Sequence, residues 1–164
     1  MLFRSPVREL CPVEADFVTG LLALRQRRPE PAARSLVALF EALRRDPTPL
    51  PIMAEHAVRL ALEIASQDPQ QVPALFSALD EPFALLVAEE SRTTVLCLLG
   101  SAIGPREMVE ALQPLEPNPP WNARMLELRA EAYEATGHAL AGRARRDWNE
   151  FQAHAGKKAG PVSD

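Results

Sequence analysis

Apolar residues recur along the 164-residue chain at the three- and four-residue spacing of an amphipathic helix, and runs of Val, Ile and Thr alternating with polar residues are missing. The pattern predicts a first helix over 13–27, with Phe17, Leu21 and Leu24 on one face and Val18 and Leu22 beside them. A second follows over 29–45, with Leu36, Leu39, Phe40 and Leu43 as its stripe. The third, over 51–67, carries one stripe of Met53, Ala57, Leu60, Ala61 and Ile64 and another of Val58, Leu62 and Ala65. A helix that is apolar on two sides belongs in an interior.

Further helices are expected over 69–79, with Val72, Leu75, Phe76 and Leu79 inward, and over 105–112, with Met108, Val109 and Leu112 inward. Between them the stretch 80–104 reads as two helices, one capped by Asp80 and reaching Glu89, the next over 91–102. A helical hairpin closes the pattern at 121–151, after a proline-rich connector, PLEPNPP. Residues 1–12 read as an extended lead-in, 13–155 as one helical domain and 156–164 as a polar tail.

Composition sharpens this picture. Aromatics are 5% of the chain, which again argues against a sheet, so the fold class is all-α with seven or eight helices. The 16 prolines fall mostly where helices start or stop. Gly20, in the middle of the first helix, costs about 1 kcal/mol relative to alanine and marks close approach of a neighbouring helix. A formal charge of −4 gives no general attraction to nucleic acid or anionic lipid, and neither partner is expected. The first residues, MLFRSPVREL, lack the apolar core of a signal peptide, and no run approaches the length of a membrane span. Two cysteines without a spacing signature, Cys11 and Cys97, suit a reducing cytoplasm.

Chemistry is sparse. His56, His138 and His154 sit in no ligand spacing, and Glu55 beside His56 points about 100° away from it on a helix. The paired acids Glu89/Glu90 and Asp80/Glu81 read as solvated faces, and Ser5, Ser91 and Ser101 have no GxSxG context. Cys97, inside VLCLL, reads as a small buried hydrophobe, while Cys11 is the more exposed thiol. Phosphate-binding loops are absent, so an enzyme, a metal site and a cofactor are all unexpected.

The order of Tyr133, Gly137, Ala141, Ala144 and Phe151 resembles the aromatic, turn glycine, small contact residues and late apolar position of the tetratricopeptide repeat. Gly20 and Ala32 resemble the small residues that the same family places one in each helix of a pair. Ala130 and Gly142 depart from the repeat, which has glycine and alanine in those places. The resemblance implies antiparallel hairpins stacked as a short right-handed solenoid that binds protein. The segments FVTGLLALR and LRAEAYEATGHALAGRA are also similar to helical C-terminal extensions of bacterial fused spermidine synthase-like proteins, although no aminopropyltransferase motif is present.

Three readings of function follow. The first is a non-catalytic scaffold that binds another protein; the second is a regulatory or structural extension of a larger enzyme; the third is self-association through an open solenoid end, giving a homodimer. The residues singled out for partner binding are Trp121, Arg145 and Trp148 on the last hairpin and Arg25 and Arg28 near the end of the first helix. Tryptophan and arginine are enriched at interaction hot spots.

Overall fold

The computed structural model describes residues 12–46 and 48–158. Among these residues the chain forms eight α-helices, three short 3₁₀ turns and no strand, so the fold is all-α. In chain order the helices are α1 (Pro12–Arg25), α2 (Pro29–Leu43), α3 (Pro51–Gln67), α4 (Val72–Leu79), α5 (Glu89–Ile103), α6 (Pro105–Leu112), α7 (Ala123–Thr136) and α8 (Ala141–Lys158). Helices α1, α2, α3 and α6 each begin on proline, which has no N–H to leave unpaired in a first turn and whose fixed φ suits it. The expected lead-in lies outside the described residues except for Pro12, as do residues 159–164 of the tail. Residues 156–158, read as tail, belong to α8.

The chain divides into two compact units, Met1–Leu99 and Gly100–Asp164. In the first, α1 and α2 form a hairpin, α3 packs on both, and α4 packs on α2 and α3. Leu36, Leu39, Phe40 and Leu43 of α2 are fully buried, as are Ala54, Ala57, Val58, Ala61 and Ile64 of α3; the first stripe read from the sequence is buried throughout, while of the second Val58 is buried and Leu62 and Ala65 are half-buried. A Cβ added at Gly20 would sit 3.4 Å from Leu36 Cδ2 and 3.5 Å from the Ala32 carbonyl oxygen. The close approach is therefore real, with room for one methyl group.

The helix expected over 80–89 does not form. Pro82 removes a donor and disfavours helical geometry at Glu81, and tertiary partners take the backbone groups instead. The Ala84 N–H donates to the Leu43 carbonyl at 2.9 Å, and the Phe83 N–H donates to Glu89 Oε1 at 2.7 Å. Phe83 plugs the core against Phe40, their ring centroids 5.7 Å apart. Arg92, nearly fully buried, grips Glu89 through Nε at 3.0 and 2.9 Å and donates through Nη1 to the carbonyls of Leu79 and Asp80. Glu89, expected on a solvated face, thus holds a loop closed, and a 3₁₀ turn at Leu86–Ala88 leads into α5.

In the second unit α6 packs on α7, and α7 pairs with α8. Asn122 caps α7 by accepting the Met125 N–H at 3.0 Å, and Gly137 ends it at φ 64°. There the N–H of His138 donates to Tyr133 and that of Gly137 to Glu134, a Schellman closure. The α1–α2 turn repeats the design: Arg28 donates to Ala23 and Arg27 to Leu24, with Arg27 at φ 56°. Glycine fills the left-handed position in one hairpin and arginine in the other.

Candidate functional site

Helix α1 is apolar around most of its circumference, and its packing uses the smaller part. Val13, Asp16, Gly20, Ala23 and Leu24 face inward, a stripe whose small residues Gly20 and Ala23 let α2 approach. Phe17, Val18, Leu21 and Leu22 are left on the other side. Val18 and Leu22, read as lying beside the Phe17, Leu21 and Leu24 face, are 51% and 55% exposed, and Phe17 and Leu21 are half-buried. Periodicity could not choose between these faces, because both carry apolar residues; the helix turns to α2 the face on which Gly20 permits a close crossing.

Phe17 and Leu21 form one wall of a cleft of about 340 Å³ between α1 and α3, with Leu60 opposite. Its polar lining is Arg25, His56, Arg59 and Glu63, and Arg59 also reaches Glu55 at 3.7 Å. Arg25 and Arg28, two of the residues singled out from the sequence, are both exposed at the end of α1, with Arg27 between them. Among the described residues none of these three arginines holds an ion pair. A second aliphatic surface in the same unit is made by Leu50 and Ile52 at the start of α3 and by Leu86, 84% exposed, and Val87 in the 3₁₀ turn.

The remaining singled-out residues lie in the second unit. Trp121, just before α7, is 54% exposed. Trp148 is half-buried and stacks on Phe151 at 6.1 Å between ring centroids. Arg145, on the same helix, is committed to Glu134: Nε donates to Oε1 at 2.6 Å and Nη2 to Oε2. That hydrogen bond holds the Glu134 carboxyl below the usual range. Arg145 is therefore already satisfied within the hairpin.

A buried polar cluster that the sequence reading did not find lies on the other side of α7. Arg129 is fully buried, with Nε donating to Glu116 Oε1 at 2.6 Å and Nη1 to Asp147 Oδ2 at 2.7 Å. Tyr133, also fully buried, donates its hydroxyl to Glu116 Oε1 at 3.0 Å, and the Arg129 guanidinium lies 5.4 Å from its ring centroid. Burial opposes the arginine's charge, but its bonds to the two carboxylates outweigh this and raise its pKa. Burial, then Glu116, pushes the Tyr133 hydroxyl up to about 12. His138, read as a surface loop residue, is half-buried and stacks on Tyr133 at 4.1 Å, its Nδ1 accepting the Leu140 N–H at 3.2 Å. The signal available in sequence was Arg129 at the centre of an otherwise apolar α7 stripe, and it names no partner by itself. The cluster ties the connector at Glu116 to α7 and α8; Arg143 adds a bond to the Pro117 carbonyl at 3.1 Å.

Other chemistry is limited. Cys97 is buried, and burial pushes its thiol up to about 12, which leaves almost no thiolate near neutrality; Cys11 lies outside the described residues. Among the described residues no three His, Cys, Asp or Glu side chains converge as a metal site would require, and no helix is long and apolar enough to cross a membrane. A shallow cavity of about 270 Å³ in the second unit is lined by small and apolar residues, Glu131 being its one charged group. Comparison with protein-family models, with curated proteins and with solved structures returned no match.

Proposed function

We propose that this protein is a non-catalytic helical-hairpin module, similar to tetratricopeptide repeats in how it pairs its helices, and that it works by docking protein on the outer face of α1. The observation that carries the reading is the inversion of that helix: its small residues are spent on α2, while Val18 and Leu22 stand more than half exposed beside the half-buried Phe17 and Leu21. Scattered exposed aliphatics are ordinary, but two exposed and two half-buried apolar side chains on adjacent turns of one helix, bordering a cleft, form the contiguous apolar surface that interaction sites present. The free arginines at its end supply the polar rim.

The test is capture of bound protein by a tagged chain. Val18→Glu with Leu22→Glu, matched to wild type in helicity by circular dichroism, is expected to lose what wild type retains. Leu86→Glu with Val87→Glu burdens the second aliphatic surface equally and is expected to keep it. Equal retention by all three chains would overturn the proposal.

A further inference from the structure

We infer that the outer face of α1 is self-complementary and pairs antiparallel with α1 of a second copy of this chain. The inference rests on the reading that this face docks protein, and it names the protein. The face runs from the half-buried Glu14 through the exposed Val18, Leu22 and Arg25, an i, i+4, i+8, i+11 series that stays on one side of a helix. Its two ends carry opposite charge about 16 Å apart, at 1.5 Å rise per residue. The two aliphatic positions lie between them, nearly symmetric about the midpoint.

A two-fold axis through that midpoint sets Val18 of each copy over Leu22 of the other and brings Glu14 of each against Arg25 of the other. This is what an isologous interface requires: one patch that satisfies itself when turned over. A parallel arrangement would put Glu14 on Glu14 and Arg25 on Arg25. Neither residue is committed elsewhere: among the described residues neither Glu14 nor Arg25 holds an ion pair, in contrast to Arg34 with Glu30 and Arg145 with Glu134. Arg27 and Arg28, exposed just beyond Arg25, extend the cationic end toward the partner's Glu14. The chain's net charge of −4 opposes the encounter only weakly, because charges are screened beyond about 8 Å at physiological ionic strength.

Sedimentation of the full chain from about 1 to 300 µM, a span suited to an interface of modest size, reads the result. Wild type is expected to pass from monomer to dimer, and Val18→Glu with Leu22→Glu to remain monomeric. Glu14→Arg alone and Arg25→Glu alone each place like charges together at two symmetric points, and each should weaken association about tenfold. The two substitutions together re-form the pairs with their signs exchanged and should return the constant to within about threefold of wild type. Additive weakening in the double variant would overturn the antiparallel pairing. A wild-type monomer across the range would overturn the second copy as partner; if capture of another protein still depends on Val18 and Leu22, docking on this face survives that result. A monomer whose captured proteins ignore the Val18 and Leu22 substitutions would remove both.

Discussion

Arg129 carries the largest electrostatic stake of any described residue in the second unit. Its guanidinium is out of water and bridges two carboxylates, so removing it leaves Glu116 and Asp147 facing each other in a poorly solvated site. Arg129→Met is expected to cost about 3–5 kcal/mol in urea unfolding, and adding Glu116→Gln and Asp147→Asn should recover most of it, because the penalty comes from orphaned charge more than from lost attraction. Tyr133 sets a pH limit on the same cluster. Its hydroxyl titrates near 10 in an unfolded chain and at about 12 in the fold, so above pH 10 the unfolded form sheds a proton that the folded form retains. Stability should therefore fall as pH rises from 10 to 12, and a series of melts over that range should show a shallower fall in Tyr133→Phe. None of this was legible in the sequence: the partners lie 13 and 18 positions from Arg129, and no local pattern joins them.

Helices, by contrast, were largely legible as elements. The apolar period and the prolines placed α2, α3, α6 and the last hairpin close to where they stand, since local propensity and capping agree there with packing. The expectation failed over 80–89, where Pro82 and the tertiary bonds of Ala84, Phe83 and Arg92 outweighed a helical pattern, and on α1, where two apolar faces left the inward one undetermined. The two hairpin turns give a prediction at this scale. Both close with the same pair of backbone bonds, but Arg27 occupies the left-handed position that Gly137 fills without strain. Arg27→Gly should stabilise the first unit by about 0.5–1 kcal/mol, and Gly137→Ala should destabilise the second by about 1 kcal/mol, each read as a shift in unfolding midpoint at unchanged helicity.

At the scale of the whole molecule, the acidic chain gathers an apolar face on one helix of its first unit and unpaired arginines at that helix's end, while in its second unit Arg129 and Arg145 are held by carboxylates. This contrast moves the proposed docking surface away from Arg145 and Trp148, which the sequence favoured, to α1, at whose end Arg25 and Arg28 hold no ion pair among the described residues. Sequence supplied the arginines and the apolar period; the choice of surface needed the packing of Gly20 against α2, which a one-dimensional pattern does not contain. The most direct measurement is the amount of protein captured by Val18→Glu with Leu22→Glu relative to wild type, with Leu86→Glu and Val87→Glu as the matched control. Loss of most of the captured protein in the first variant and retention in the control is the result expected of docking on α1, and equal capture by all three chains would contradict it.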